Sequence, residues 1–132
     1  MAIAKKIVIG IFALIILAGA FLPEITRFMA RSAFKKENVE KSWAPNLAFT
    51  SARINMRFFR YKDAAIIFRK GIQAFPKSKE APDAMFHMAQ CYSKDGDPKT
   101  AQKVYDAFIK KYPKHRWRDL AEKRTEYIKA NQ

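Results

Sequence analysis

The sequence predicts an all-α protein: a single N-terminal transmembrane helix, then a short array of antiparallel helix pairs closed by a C-terminal capping helix. Three observations carry that prediction. Residues 61–77 (YKDAAIIFRKGIQAFPK) and 98–114 (PKTAQKVYDAFIKKYPK) share one apolar pattern. Ala64, Ile67, Phe68, Ile72, Phe75 and Pro76 pair with Ala101, Val104, Tyr105, Ile109, Tyr112 and Pro113 at a constant offset of 37 residues. A period in this range marks helix pairs that bury their apolar faces only by stacking on their neighbours. Residues 7–22 (IVIGIFALIILAGAFL) hold no charge. From Pro45 onward, apolar residues recur at helical spacing and nowhere alternate as a strand would.

The first element is the apolar run, residues 1–22. Ile7, Val8, Ile9, Ile11, Phe12, Leu14, Ile15, Ile16, Leu17, Phe21 and Leu22 follow Lys5 and Lys6 and would contact a lipid bilayer. The 16 helical residues of this run span about 24 Å, short of a hydrocarbon core of about 30 Å. Counting from Ile3, or continuing past Pro23 through Ile25, Phe28 and Met29, closes the gap. Those last three residues form a stripe opposite Arg27, Arg31 and Lys35. Residues 23–44 therefore read as an amphipathic juxtamembrane connector at headgroup level. A signal peptide cleaved after Ala20 is the competing reading, because Ala18-Gly19-Ala20 offers the small-x-small pattern that cleavage needs. No cysteine stands directly after the run, which excludes a lipoprotein. Lys5 and Lys6 compete with Arg27, Arg31, Lys35 and Lys36 for the cytoplasmic side, and the count favours a cytoplasmic C-terminal domain.

Residues 45–132 form the helical domain, with units at about 45–78 and 82–115 and a cap at 116–130. Helices are expected over 47–59, 62–75 and 82–94. Lys94-Asp95-Gly96-Asp97-Pro98 then supplies a Gly-containing turn, an Asp N-cap and a Pro at the first helical position. A fourth helix runs to Tyr112 with Ala101, Val104, Tyr105, Phe108 and Ile109 on one face. The last shows Trp117, Leu120, Ala121 and Ile128 against a charged surface. The 47–59 helix carries Phe49, Ile54, Met56, Phe58 and Phe59, more apolar surface than one neighbour covers. Residues 24–43 with Trp43, or another protein, must shield it; the expectation is another protein.

In order and at matching spacing, Met85, Met88, Ala89, Tyr92, Ala101, Tyr105 and Pro113 resemble the tetratricopeptide repeat pattern of small and aromatic positions. The upstream unit keeps Ala52, Ala64, Phe68 and Pro76. It departs at Asn55, where an aromatic is expected, and has Arg60-Tyr61-Lys62-Asp63 in place of a glycine turn. The stretches FPKSKEAPDAMFHMA and YPKHRWRDLAEKR are similar to bacterial envelope members of that family. These are the Tol–Pal-associated periplasmic repeat protein and the repeat lipoprotein of outer-membrane assembly. The resemblance implies a protein-binding scaffold, an accessory subunit of an envelope complex. It also implies a bacterial inner-membrane protein with a periplasmic C-terminal domain, against the charge count.

The chemistry-bearing residues are sparse. His87 and Cys91 share a helix face at a spacing suited to two metal ligands, but no second pair accompanies them, and no metal is expected. Asp95 and Asp97 around Gly96 are explained by capping and turn formation. No nucleophile–base arrangement, phosphate loop or acid pair appears, so neither catalysis, a cofactor nor a small-molecule substrate is expected. On the inner face of the first helices, Asn46, Phe49, Arg53, Asp83, Phe86 and Gln90 lack the Lys and Asn set with which some members of the family grip a C-terminal carboxylate. A groove of Phe49, Arg53, Arg57, Phe86, Gln90 and Lys94 better suits another protein's acidic or apolar segment. Packing is the competing role for the two phenylalanines. The net charge of +14 and the basic–aromatic stretches Arg57–Lys62 and Lys114–Arg118 raise a membrane-surface or nucleic-acid binder as a further class, although no nucleic-acid module is present.

Overall fold

The computed structural model describes residues 1–132 as six helices without strands. They are α1 (Ala2–Phe34), α2 (Ala44–Arg57), α3 (Tyr61–Ala74), α4 (Ala81–Lys94), α5 (Pro98–Lys111) and α6 (Arg118–Ala130). Each helix packs chiefly on the next one in the chain. The periodicity explains the stacking, since α3 and α5 each present one apolar stripe with small residues where a neighbour crosses. Ala52, Ala64, Ala65 and Ala84 are buried with Phe49 and Phe68 between α2, α3 and α4. Ala89, Ala101 and Ala121 are buried with Phe86, Tyr105 and Phe108 between α4, α5 and α6.

The second unit follows its local signals closely. The side chain of Asp97 caps α5 by accepting from the Thr100 N–H at 3.1 Å. Hydrogen bonds from Thr100 hold the Asp97 carboxyl below its ordinary pKa. Gly96 occupies the left-handed region at φ 83°, which a glycine adopts at no steric cost. In α6, Ala121, Thr125 and Ile128 face the array. Leu120 does not join them; it is 38% exposed, because it lies a third of a turn away from Ala121.

The first unit departs from expectation in an informative way. Its turn lies at Phe58–Arg60, and Tyr61–Asp63 already form the first turn of α3. Phe59, 37 residues before Gly96, takes the same left-handed conformation at φ 61°. The geometry is set by the α2 terminus, where the Asn55 carbonyl accepts from Arg60 N–H at 2.9 Å. A side chain in that conformation costs about 1–2 kcal/mol relative to glycine. Phe59 recovers little of this through burial, being 79% exposed.

The N-terminal run and the first part of the connector share one helix: α1 runs unbroken through Pro23 to Phe34. Its last three turns lie on the array, with Thr26, Ala30 and Ala33 buried. Ala33 meets Ala44, Ala48 and Phe75, and Phe34 stacks on Phe75 at 6.0 Å between ring centroids. Asn55 has an aromatic's place in the repeat pattern but serves as the joint. Its Nδ2 donates to Ser51 O at 3.0 Å, and Thr26 Oγ1 lies 3.4 Å from its Oδ1. Thus α1 itself packs on α2 through Ala44, Ala48 and Asn55, whereas Phe58 and Phe59, which were expected to await another protein, remain exposed. Trp43 does not help, remaining exposed.

Gly71 marks a close approach between α2 and α3. A β-carbon there would lie 2.6 Å from Cε1 of Phe49, whose ring is wholly buried and cannot swing away. Alanine would gain up to about 1 kcal/mol of helix propensity but cost about 1–3 kcal/mol in overpacking. Gly71→Ala should therefore destabilise the domain by about 1 kcal/mol, seen as a lower urea midpoint at unchanged slope.

Candidate functional site

The groove begins with helix spacing. Arg53, Met56 and Arg57 stand at i, i+3 and i+4 on α2; His87, Gln90 and Lys94 stand at i, i+3 and i+7 on α4. Stacking of the first helices of the two units brings these faces together. A shallow cleft of about 220 Å³ results, lined by Arg53, Met56, Arg57, Tyr61, His87 and Lys94. Three cations thus surround a floor of Met56, Tyr61 and His87, and no carboxylate lines the cleft.

Three of these side chains have partners within the chain. Arg53 Nη2 donates to Thr50 Oγ1 at 2.9 Å. Lys94 Nζ lies over the Tyr61 ring, 5.9 Å from its centroid. His87 stacks on Phe68 at 5.9 Å between centroids, and its Nδ1 is 2.9 Å from Gln90 Oε1. Gln90 is therefore a bracket for the histidine at the edge of the groove.

Of the residues expected to form a docking face, Arg53, Arg57 and Lys94 are brought together, with Gln90 beside them. Phe49 and Phe86 are not on that face. Phe49 is wholly buried over Gly71. Phe86 is packed among Tyr105, Phe108 and Trp117 at centroid distances of 5.5, 5.7 and 4.9 Å. Both rings sit on the flank of their helix that faces the paired helix, so they are core. Met56, Tyr61 and His87, which sequence reasoning did not place in the groove, form its floor instead. The i, i+3, i+4 relation of Met56 to Arg53 and Arg57 was the available signal.

The remaining candidates have structural roles. Cys91 is a free thiol wholly buried between the units. Burial, with Asp95 nearby, pushes its pKa up to about 12, so it stays protonated across the physiological range. Burial likewise raises the Tyr105 phenol to about 12. Asp83 fastens the start of α4 to the α5–α6 junction. Its Oδ1 lies 2.9 Å from His115 Nε2, and its Oδ2 accepts from Arg116 Nη2 at 3.2 Å. With Trp117 against Phe86, three residues of the basic–aromatic stretch at 114–118, His115, Arg116 and Trp117, hold the cap to α4.

A larger cleft of about 460 Å³ lies elsewhere, between α1 and α3. Thr26, Ala30, Phe34, Asn55, Ile66 and Ile67 line it together with Arg27, Arg31, Lys35, Arg60 and Lys70, and Asp63 is the one carboxylate among the lining residues. The stripe Arg27, Arg31, Lys35 was visible in the sequence, but the partner helix that turns it into a cleft was not.

Comparison with known proteins agrees with this geometry. No curated protein matches the chain. Residues 83–115 match the family model described as tetratricopeptide repeat, a stretch that takes in α4, α5 and the approach to α6. The α4/α5 pair is thus a tetratricopeptide-like repeat, the kind of unit that supports binding between proteins, and α2/α3 stacks on it as a second helix pair.

Proposed function

We propose that this chain is a membrane-anchored adaptor whose groove between α2 and α4 holds an acidic, partly apolar segment of another protein. The observation that carries this reading is the convergence of Arg53, Arg57 and Lys94 over Met56, Tyr61 and His87 with no carboxylate among them. Such a surface presents unmatched positive charge beside apolar area, the combination that selects an acidic amphipathic partner. We place the protein in the inner membrane of a bacterial envelope as an accessory subunit, with the helical array on the periplasmic side, and assign it no catalytic step.

The anchor is α1. Its apolar stretch has a mean hydropathy of 2.4 and no buried residue. Counted from Ile3, with Lys5 and Lys6 reaching back to the headgroups, the run to Leu22 extends about 30 Å, enough for a hydrocarbon core, and the exposed apolar side runs on through Ile25 and Phe28 at the interface. Continuity of α1 from this stretch into its packed last turns supports retention over cleavage after Ala20. The test is N-terminal sequencing of the full chain recovered from carbonate-washed membranes. A chain beginning at Met1 in the membrane pellet is expected; one beginning at Phe21 in the soluble fraction would contradict the anchor.

A further inference from the structure

Three features outside the groove lie close together. The first is the Phe58–Phe59 turn, in which a phenylalanine stands where the second unit has Gly96, left-handed and exposed. An exposed aromatic held in a conformation that glycine adopts without cost gains nothing for the fold. The second is the cleft between α1 and α3 with its five cations. Arg27 is paired with Glu24, Lys35 with Glu37 and Arg60 with Asp63, while Arg31 and Lys70 have no carboxylate within ion-pair distance. Arg60 Nε is buried without an acceptor. The third is the exposed apolar side of α1, which ends at Phe28.

The helix directions put these at one level. Asn55 meets Thr26 near the apolar stretch, while Ala44 and Ala48 meet Ala33 farther out. α2 therefore runs back toward the apolar stretch of α1, and its last turn carries Phe58 and Phe59 about 5 Å beyond Asn55 in that direction. Thr26 is only four residues past Leu22. The turn thus stands level with the end of the apolar run, where aromatic rings favour the bilayer interface. The basic cleft opens within the adjoining headgroup layer, where anionic lipid attracts each cation.

We infer that the α2–α3 turn and the α1–α3 cleft form one site for an anionic phospholipid. Phe58 and Phe59 enter the interface, and Arg31 and Lys70 hold the headgroup phosphate. This rests on the reading of α1 as a retained anchor. It fixes the tilt of the array on the membrane, so that the groove between α2 and α4 faces a partner in a set orientation.

The test uses the full chain in phosphatidylcholine vesicles with and without phosphatidylglycerol, scored for carbonate resistance, for phosphatidylglycerol retained after mild detergent extraction, and for thermal stability. The wild-type chain should resist carbonate in both vesicles and retain phosphatidylglycerol. Phe59→Gly should melt at a higher temperature yet retain several-fold less lipid, a pairing that misfolding cannot produce. Arg31→Gln with Lys70→Gln should lower retention about thirty-fold with the span intact. Carbonate resistance without any preference for phosphatidylglycerol would overturn the lipid site alone. Release by carbonate from both vesicles would overturn the anchor on which it rests. Phosphatidylglycerol retention unchanged in both sets of variants would likewise overturn the lipid site.

Discussion

Replacing Phe86 by alanine should cost about 3–5 kcal/mol, the range for deleting a fully buried aromatic side chain. Phe86 is the residue on which the second unit converges. Its ring is 2% exposed and touches one side chain each from α4 (His87), the α5–α6 junction (Trp117) and two on α5 (Tyr105 and Phe108). A cavity there cannot be refilled by one neighbour without unseating another. Since a domain of this size has about 5–15 kcal/mol in hand, the Phe86→Ala chain should unfold at much lower urea. Trp117, packed on Phe86, would report the change by fluorescence, whereas the exposed Trp43 would not. A loss below about 1 kcal/mol would mean that the ring is free to serve the groove, as one reading of the sequence had it.

Reversing the groove should have the opposite profile, with a large effect on association and a small one on stability. Arg57 and Lys94 are exposed and Arg53 is half-buried. None of the three forms an ion pair within the chain. Arg53→Glu, Arg57→Glu and Lys94→Glu together should shift stability by about 1 kcal/mol or less. An acidic partner would then face three anions in place of three cations, and its affinity should fall by about a hundredfold or more. Raising salt should weaken the wild-type complex in the same direction, because exposed charges are screened. Equal affinity of the reversed chain, measured by co-isolation from solubilised membranes, would remove the charge argument.

The helices of the array were legible because their apolar residues follow one period and their ends carry strong local signals, such as Asp97, Gly96 and Pro98. What escaped the sequence was set by contacts between distant segments. The stripe of Ile25, Phe28 and Met29 hinted that the helix continues past Pro23, although proline inside a helix ordinarily argues for a break, but nothing local says that this segment packs on the array. The reason is tertiary: Thr26 finds Asn55, and Ala33 finds Ala44 and Ala48. Asn55 read as a flaw in the repeat until its side chain met Thr26. The groove was half legible. Its cations lie at helical spacing on the expected face, but Phe49 and Phe86 look no different in sequence from surface anchors, and only packing against Gly71 and Phe108 makes them core. The larger basic cleft was beyond reach because it is made by two helices that the repeat pattern does not pair.

The groove can be interrogated where it operates. A photo-activatable cross-linker at position 57 of the full chain, in intact membranes, should join a discrete second protein at an acidic segment, and the adduct should vanish when Arg53→Glu and Lys94→Glu are added. Adducts to lipid alone, or an adduct untouched by reversing those charges, would contradict the assignment of this surface to protein docking.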